Sequence, residues 1–131
     1  MKILHAGCGG ETLPPQFLDA FPGAEELRLD VDPDCTPDIV ASISDLGDIG
    51  PFDGVVSFHC LEHLQWDDAQ KALREFYRVL KPGGFVYLQV PNIDGIQPTE
   101  DVVYEVNGLK VTGLDMLYGC RQFTQSNPWM L

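Results

Sequence analysis

The sequence has no long hydrophobic run, few cations and no paired-cysteine motif, and each lack removes a class of function. Its uninterrupted apolar stretches are a few residues long, against the roughly 20 that a membrane-spanning helix needs. The opening Met-Lys-Ile-Leu-His lacks the apolar core of a secretory signal. Lys and Arg number 8 against 20 Asp and Glu, a net charge of −12. Such a chain repels phosphate backbones and anionic lipid, which argues against nucleic-acid and membrane partners. A cation would be attracted. Cys8, Cys35, Cys60 and Cys120 form no Cys-x-x-Cys, the spacing of zinc ribbons and thiol–disulfide enzymes. Without a signal peptide they read as reduced thiols in a cytoplasmic protein.

What is present is globular. Apolar residues make up 44% and charged residues 21% of 131 positions, which fits a single domain over residues 1–131. Strand and helix signals alternate. Lys2 to Ala6 reads as a buried strand running into Gly7-Cys8-Gly9-Gly10. Pro14-Pro15 suits a helix start, giving a short helix from Gln16 to Phe21. Leu27 to Val31 and Asp38 to Ser44 read as strands, the latter with Ile39, Ala41 and Ile43 on one face. Gly54 to Phe58 is a fourth strand. Ala69, Leu73, Phe76, Tyr77 and Leu80 recur at helical spacing from about Asp67 to Leu80. Lys81-Pro82-Gly83-Gly84 then ends the helix, and Phe85 to Val90 is a fifth strand. In the tail, 93–131, Asp94 to Pro98 reads as loop. Val102 to Val111 is irregular or a hairpin, and Leu114 to Tyr118 a helical turn.

This order predicts a doubly wound α/β fold with a mainly parallel sheet. The links between strands two and three, and between three and four, are shorter than the ~10–12 residues of a helical crossover. They should carry at most a helical turn. The sheet would then be poorly covered near strands two, three and four, and could pack on the tail or form a homo-oligomer.

Three strand tips carry candidate chemistry. Gly7, Cys8 and Gly9 end strand one, where glycine lets backbone approach a ligand. A plain strand-to-helix turn explains them equally. Asp30 lies 23 residues after Gly7, where an acid can accept from a ribose diol. Asp32 and Asp34 compete for that role, as does a solvated turn before Pro33. Ser44, Asp45 and Leu46 close strand three; Asp45 could accept from an exocyclic amine while Leu46 packs on a flat ring, or the segment is only a turn. Glycine, acid and acid together point to a nucleoside. Thr12 stands where a dinucleotide site wants a third glycine or alanine. No basic residue adjoins the turn in sequence, which disfavours a nicotinamide cofactor.

The segments Ile3-Leu4-His5-Ala6-Gly7-Cys8-Gly9, Leu29-Asp30-Val31-Asp32-Pro33 and Ala41-Ser42-Ile43-Ser44-Asp45-Leu46 resemble those of class I S-adenosylmethionine-dependent methyltransferases of small bacterial type. So do Phe52-Asp53-Gly54-Val55-Val56, Cys60-Leu61-Glu62-His63-Leu64 and Tyr77-Arg78-Val79-Leu80-Lys81-Pro82-Gly83-Gly84. The resemblance covers about residues 2–92. It implies a Rossmann-like methyltransferase fold with S-adenosylmethionine as cofactor and an unidentified, small-molecule acceptor. It implies Gly7, Cys8 and Gly9 beside the methionine part of the cofactor, and Asp30, followed by Val31, at the ribose. Asp45 and Leu46, preceded by Ser44, fall at the adenine, and Phe58, His59 and the residues to Leu61 along the methionine. Thr112 to Gly119 is similar to a segment that leads to two further strands. The chain is therefore expected to be a minimal form or one truncated at both ends. A binding module without catalysis is the alternative, and a nicotinamide-dependent oxidoreductase a more distant one.

His59-Cys60-Leu61-Glu62-His63 fits the H-x-x-E-H zinc pattern. That mechanism needs both histidines on one helical face, whereas the pattern begins at a strand end, so no metal is expected. No catalytic residue is required where positioning supplies the rate. His59 and His63 are the candidates if a base is used, since histidine titrates near neutrality. Cys8 and Cys60 read as small buried fillers.

Overall fold

The computed structural model describes residues 1–91, 99–106 and 109–112. Five strands form one sheet: β1 (Lys2–Ala6), β2 (Glu25–Asp30), β3 (Ile39–Val40), β4 (Phe52–Phe58) and β5 (Leu80–Gln89). Their order is β3-β2-β1-β4-β5 and every neighbouring pair is parallel. The chain winds outward in one direction from β1 and then returns to β4 on its other side. This is the doubly wound arrangement that the alternation of signals predicts, with its switch point between β1 and β4.

Alternating side chains of β1 divide the core between the two faces. Leu4 and Ala6 join Val55 of β4 in a cluster with the helix α2 (Trp66–Val79). Ile3 and Val56 join Leu13 on the opposite face, where Phe17, Leu18 and Phe21 of α1 (Pro15–Ala20) and its end pack. The α2 stripe is Ala69, Ala72, Phe76 and Val79. Tyr77, expected on that stripe, is 84% exposed, because the buried face is set one position away, by Phe76. Asp67 and Asp68 lie in the first turn and Arg78 in the last, each at the end the helix dipole favours.

Several boundaries differ from expectation. The third strand is two residues rather than Asp38 to Ser44. After Val40 the Ala41 N–H still donates to Asp30 O at 3.1 Å, but Ser42 Oγ then accepts from Ser44 N–H at 3.2 Å. That local turn competes with the ladder and ends it. Helix α2 passes directly into β5 at Leu80, which pairs with Phe52, so Lys81 to Gly84 lie in the strand's irregular start rather than in a helix cap. The short links hold only a 3-10 turn (Pro33–Cys35) and an isolated Ser42–Asp45 bridge, as their length requires.

Coverage also differs. β4, expected to be poorly covered, is buried along most of its length, being central. β3 is open as expected, with Val40 57% exposed, and so is the other edge strand, β5, with Val86, Tyr87 and Leu88 each 39–47% accessible. In the tail, β6 (Val102–Val106) and β7 (Leu109–Thr112) form an antiparallel hairpin, one of the two expected forms. The expected loop at Asp94 to Pro98 and helical turn at Leu114 to Tyr118 lie outside the described residues. Among the described residues no helix is long and apolar enough to cross a membrane.

Candidate functional site

The carboxyl ends of β1, β2 and β4 converge on one cleft. Gly7 N–H and Cys8 N–H both donate to Leu29 O, at 2.8 and 3.0 Å, which ties the glycine turn to β2. Gly7 has φ +70°, and a Cβ there would overlap Cys60 Sγ, so only glycine fits. Gly9 has φ +55° and a Cβ would meet nothing, so its bare backbone faces open space.

Asp30 is 5% exposed, and backbone N–H groups donate to both of its oxygens. Gly9 N–H donates to Oδ2 at 2.8 Å and Asp32 N–H to Oδ1 at 3.0 Å. Backbone donors on both oxygens fix the orientation of the carboxylate. The loops around it are braced by Arg28, which donates to Gly9 O, Glu11 O and Thr36 O at 2.9, 2.9 and 3.0 Å. A cation therefore does lie near the glycine turn, contrary to the linear sequence. Its guanidinium is engaged by carbonyls, the geometry of a brace rather than of a phosphate clamp.

A cavity of about 380 Å³ occupies the cleft. Of the expected residues it brings together Gly7, Cys8, Gly9, Asp30, Val31, Phe58, His59 and His63. Cys60, expected along the methionine, also lines it, whereas Leu61 of that segment is buried in the α2-side cluster. It adds Ala41, Ser42, Ile43 and Leu64, not named as site residues from the sequence alone. The alternation of Ile39, Ala41 and Ile43 was the signal for two of them. Ser44, Asp45 and Leu46 are not in its lining. Leu46 is 2% exposed in the α2-side cluster, its N–H donating to Glu75 Oε2 at 2.9 Å, so it cannot pack on a ligand ring without leaving the core. Asp45 is exposed, with its N–H on Ser42 O at 3.0 Å.

The histidines and their neighbours are unlike one another. His59 ends β4 with φ +51°, its N–H on Gln89 O at 2.7 Å and its Nε2 3.3 Å from the Gln89 amide nitrogen. His63 lies in a 3-10 turn, Leu61–His63, so the H-x-x-E-H residues share no helical face. Among the described residues no group of three or more His, Cys, Asp and Glu is arranged to hold a metal. Glu62 is 3% exposed, and among the described residues neither carboxylate oxygen has a hydrogen-bond partner. Its Oε1 lies 3.5 Å from His63 Nε2, too long for a good bond. Burial pushes the Glu62 carboxyl up to about 7 and holds His63 below its ordinary value. Burial also pushes the Cys8 thiol up to about 11 and the Cys60 thiol up to about 12. Both are neutral near pH 7, which suits fillers and not nucleophiles.

The comparisons agree with this architecture. Residues 4–88 match the family model described as "Methyltransferase domain". An S-adenosylmethionine-dependent methyltransferase from Clostridium acetobutylicum superposes with a TM-score of 0.60 at 16% identity, over 72% of this chain and 44% of its own. The plantazolicin methyltransferase BpumL, in complex with S-adenosylhomocysteine, gives 0.59 at 15% identity, over 93% and 48%. The sugar N-methyltransferase KedS8 from Streptoalloteichus gives 0.58 at 20% identity, over 79% and 48%. The chain thus spans less than half the length of each of these structures. No curated protein matches it. A family match over most of the sheet, on a cleft of bare glycine backbone and fixed carboxylate, identifies the chain as a member of the class I S-adenosylmethionine-dependent methyltransferase family.

Proposed function

We propose that residues 1–131 form one S-adenosylmethionine-binding unit that transfers a methyl group to a small-molecule acceptor. The observation that carries this reading is Asp30, oriented by two backbone donors at the mouth of a cavity whose other wall is glycine backbone. A carboxylate so fixed can accept from two adjacent ribose hydroxyls. The cavity, at about 380 Å³, falls within the roughly 300–1,000 Å³ of small-molecule sites. Val31, Ala41 and Ile43 offer apolar surface for a flat base, and Gly7, Cys8, Phe58 and His59 a channel for the amino-acid tail. The chain's net charge of −12 favours a sulfonium cation over an anionic cofactor.

S-adenosylmethionine supplies an activated methyl when bound. This chain's residues would contribute alignment, since holding two reacting atoms in line is worth up to ~7–11 kcal/mol. The acceptor class rests on likeness to enzymes such as the sugar N-methyltransferase, at identities that speak for fold alone.

Calorimetry tests the binding step. Wild type should bind S-adenosylmethionine, and Asp30→Ala should weaken binding by about 1.5–3 kcal/mol, roughly 10- to 150-fold. Asp30→Asn keeps one acceptor oxygen and should fall between. Equal affinity in all three would remove Asp30 from the ribose. A module that binds without transferring is the second reading. Release of S-adenosylhomocysteine in the presence of acceptors decides against it.

A further inference from the structure

A second cavity, of about 420 Å³, opens on the other side of the glycine turn. It shares Gly7, Cys8, Phe58 and His59 with the first, so a methyl lying over that common wall could be reached from it. Its own walls include His5, Glu11 and Gln89. His5 is 2% exposed and rests edge-on against Phe58, with ring centroids 5.8 Å apart. Its Nδ1 is 2.8 Å from Glu26 Oε2. Glu26 also accepts the Leu13 N–H, at 3.1 Å on Oε1 and 3.0 Å on Oε2. A carboxylate offers acceptors only. Nδ1 must then carry the ring's proton, and Nε2 keeps the lone pair. A base whose far nitrogen is oriented by a carboxylate is the recurring arrangement for taking a proton from a nucleophile.

We infer that this second cavity receives the methyl acceptor and that His5, aligned by Glu26, takes the proton of a protic acceptor, an amine or a hydroxyl. The inference rests on the cofactor reading above. The acceptor's lone pair forms the bond to the methyl carbon. The carbon–sulfur bond breaks with its electrons on sulfur, leaving a neutral thioether. The acceptor's proton passes to His5 Nε2, and the imidazolium is held by Glu26. Among the described lining residues the formal charge is Glu11, with no Lys or Arg, so a neutral or cationic acceptor fits and an anion does not. Burial keeps His5 below its ordinary value against the pull of Glu26, with Arg28 and Asp30 acting at longer range and opposing each other. Glu11 and His59 face it across the cavity. A neutral imidazole near pH 7 is the form a base needs.

Long-range proton–nitrogen NMR on the full chain with nitrogen-15 histidine tests this directly. Wild type at pH 7.5 should show His5 as the Nδ1-protonated tautomer, its Nε2 unprotonated. Millimolar ethanolamine, which carries both protic groups, should shift the Nε2 resonance, and acetate should not. Glu26→Gln should mix the tautomers, but the wild-type spectrum decides even if that variant fails to fold. An Nε2-protonated tautomer, no response to ethanolamine, or an equal response to acetate would each overturn the inference. Calorimetry with S-adenosylmethionine on the same sample separates its failure from failure of the cofactor reading.

Discussion

Two histidine–glutamate pairs flank the same strand tips and are built to opposite specifications. In His5–Glu26 the partners are 2.8 Å apart and the carboxylate is further bonded by Leu13 N–H. In His63–Glu62 they are 3.5 Å apart and the carboxylate, although only 3% exposed, has no hydrogen-bond partner among the described residues. The first carboxylate has donors in place and orients a ring. Burial pushes the second up to about 7, so that it holds a proton over much of the neutral range.

Removing the compensated carboxylate should have the largest effect. Glu26→Ala leaves the His5 Nδ1 proton and the Leu13 N–H without an acceptor, and should cost about 2–5 kcal/mol in urea denaturation at pH 7. A cost under 1 kcal/mol would erase the contrast between the pairs.

The uncompensated pair should show itself as a pH slope. Glu62 is raised in the folded state, so its contribution is present below its unfolded value, near pH 4.5, and is lost as pH rises through about 7. Between pH 5 and pH 8 wild type should therefore lose about 2–3 kcal/mol relative to Glu62→Gln. His5 runs the other way. It is depressed in the folded state, so the stability it confers is present above its unfolded value, near pH 6.5, and lost on acidification. Parallel slopes for the two pairs would contradict their assignment.

An exposed pair sets the floor. Arg78 and Glu75 are 2.6 Å apart, with the Arg78 side chain about half accessible. Arg78→Ala should shift the urea midpoint less than either buried-carboxyl variant, and less again in high salt.

Much of the frame was legible in the sequence. β1 kept its expected bounds because a short apolar run before glycine has few alternatives. The strands and α2 appear in the expected order because period and punctuation agree along the chain. The gathering of Gly7, Gly9 and Asp30 was legible because strand tips converge by topology alone. Leu46 was not: an apolar residue after a strand reads identically whether it faces a ligand or the core, and here Glu75 on a distant helix ties down its backbone. The His5–Glu26 pair was invisible for another reason. It depends on the β1–β2 register, which sets His5 opposite Arg28 and Ile3 opposite Glu26, and no linear spacing encodes that.

A crystal structure with S-adenosylhomocysteine tests the central claim most directly. The account predicts the ribose diol within hydrogen-bonding distance of both Asp30 oxygens, with the base against Val31, Ala41 and Ile43. A nucleoside bound elsewhere, or one whose diol turns away from Asp30, would contradict it.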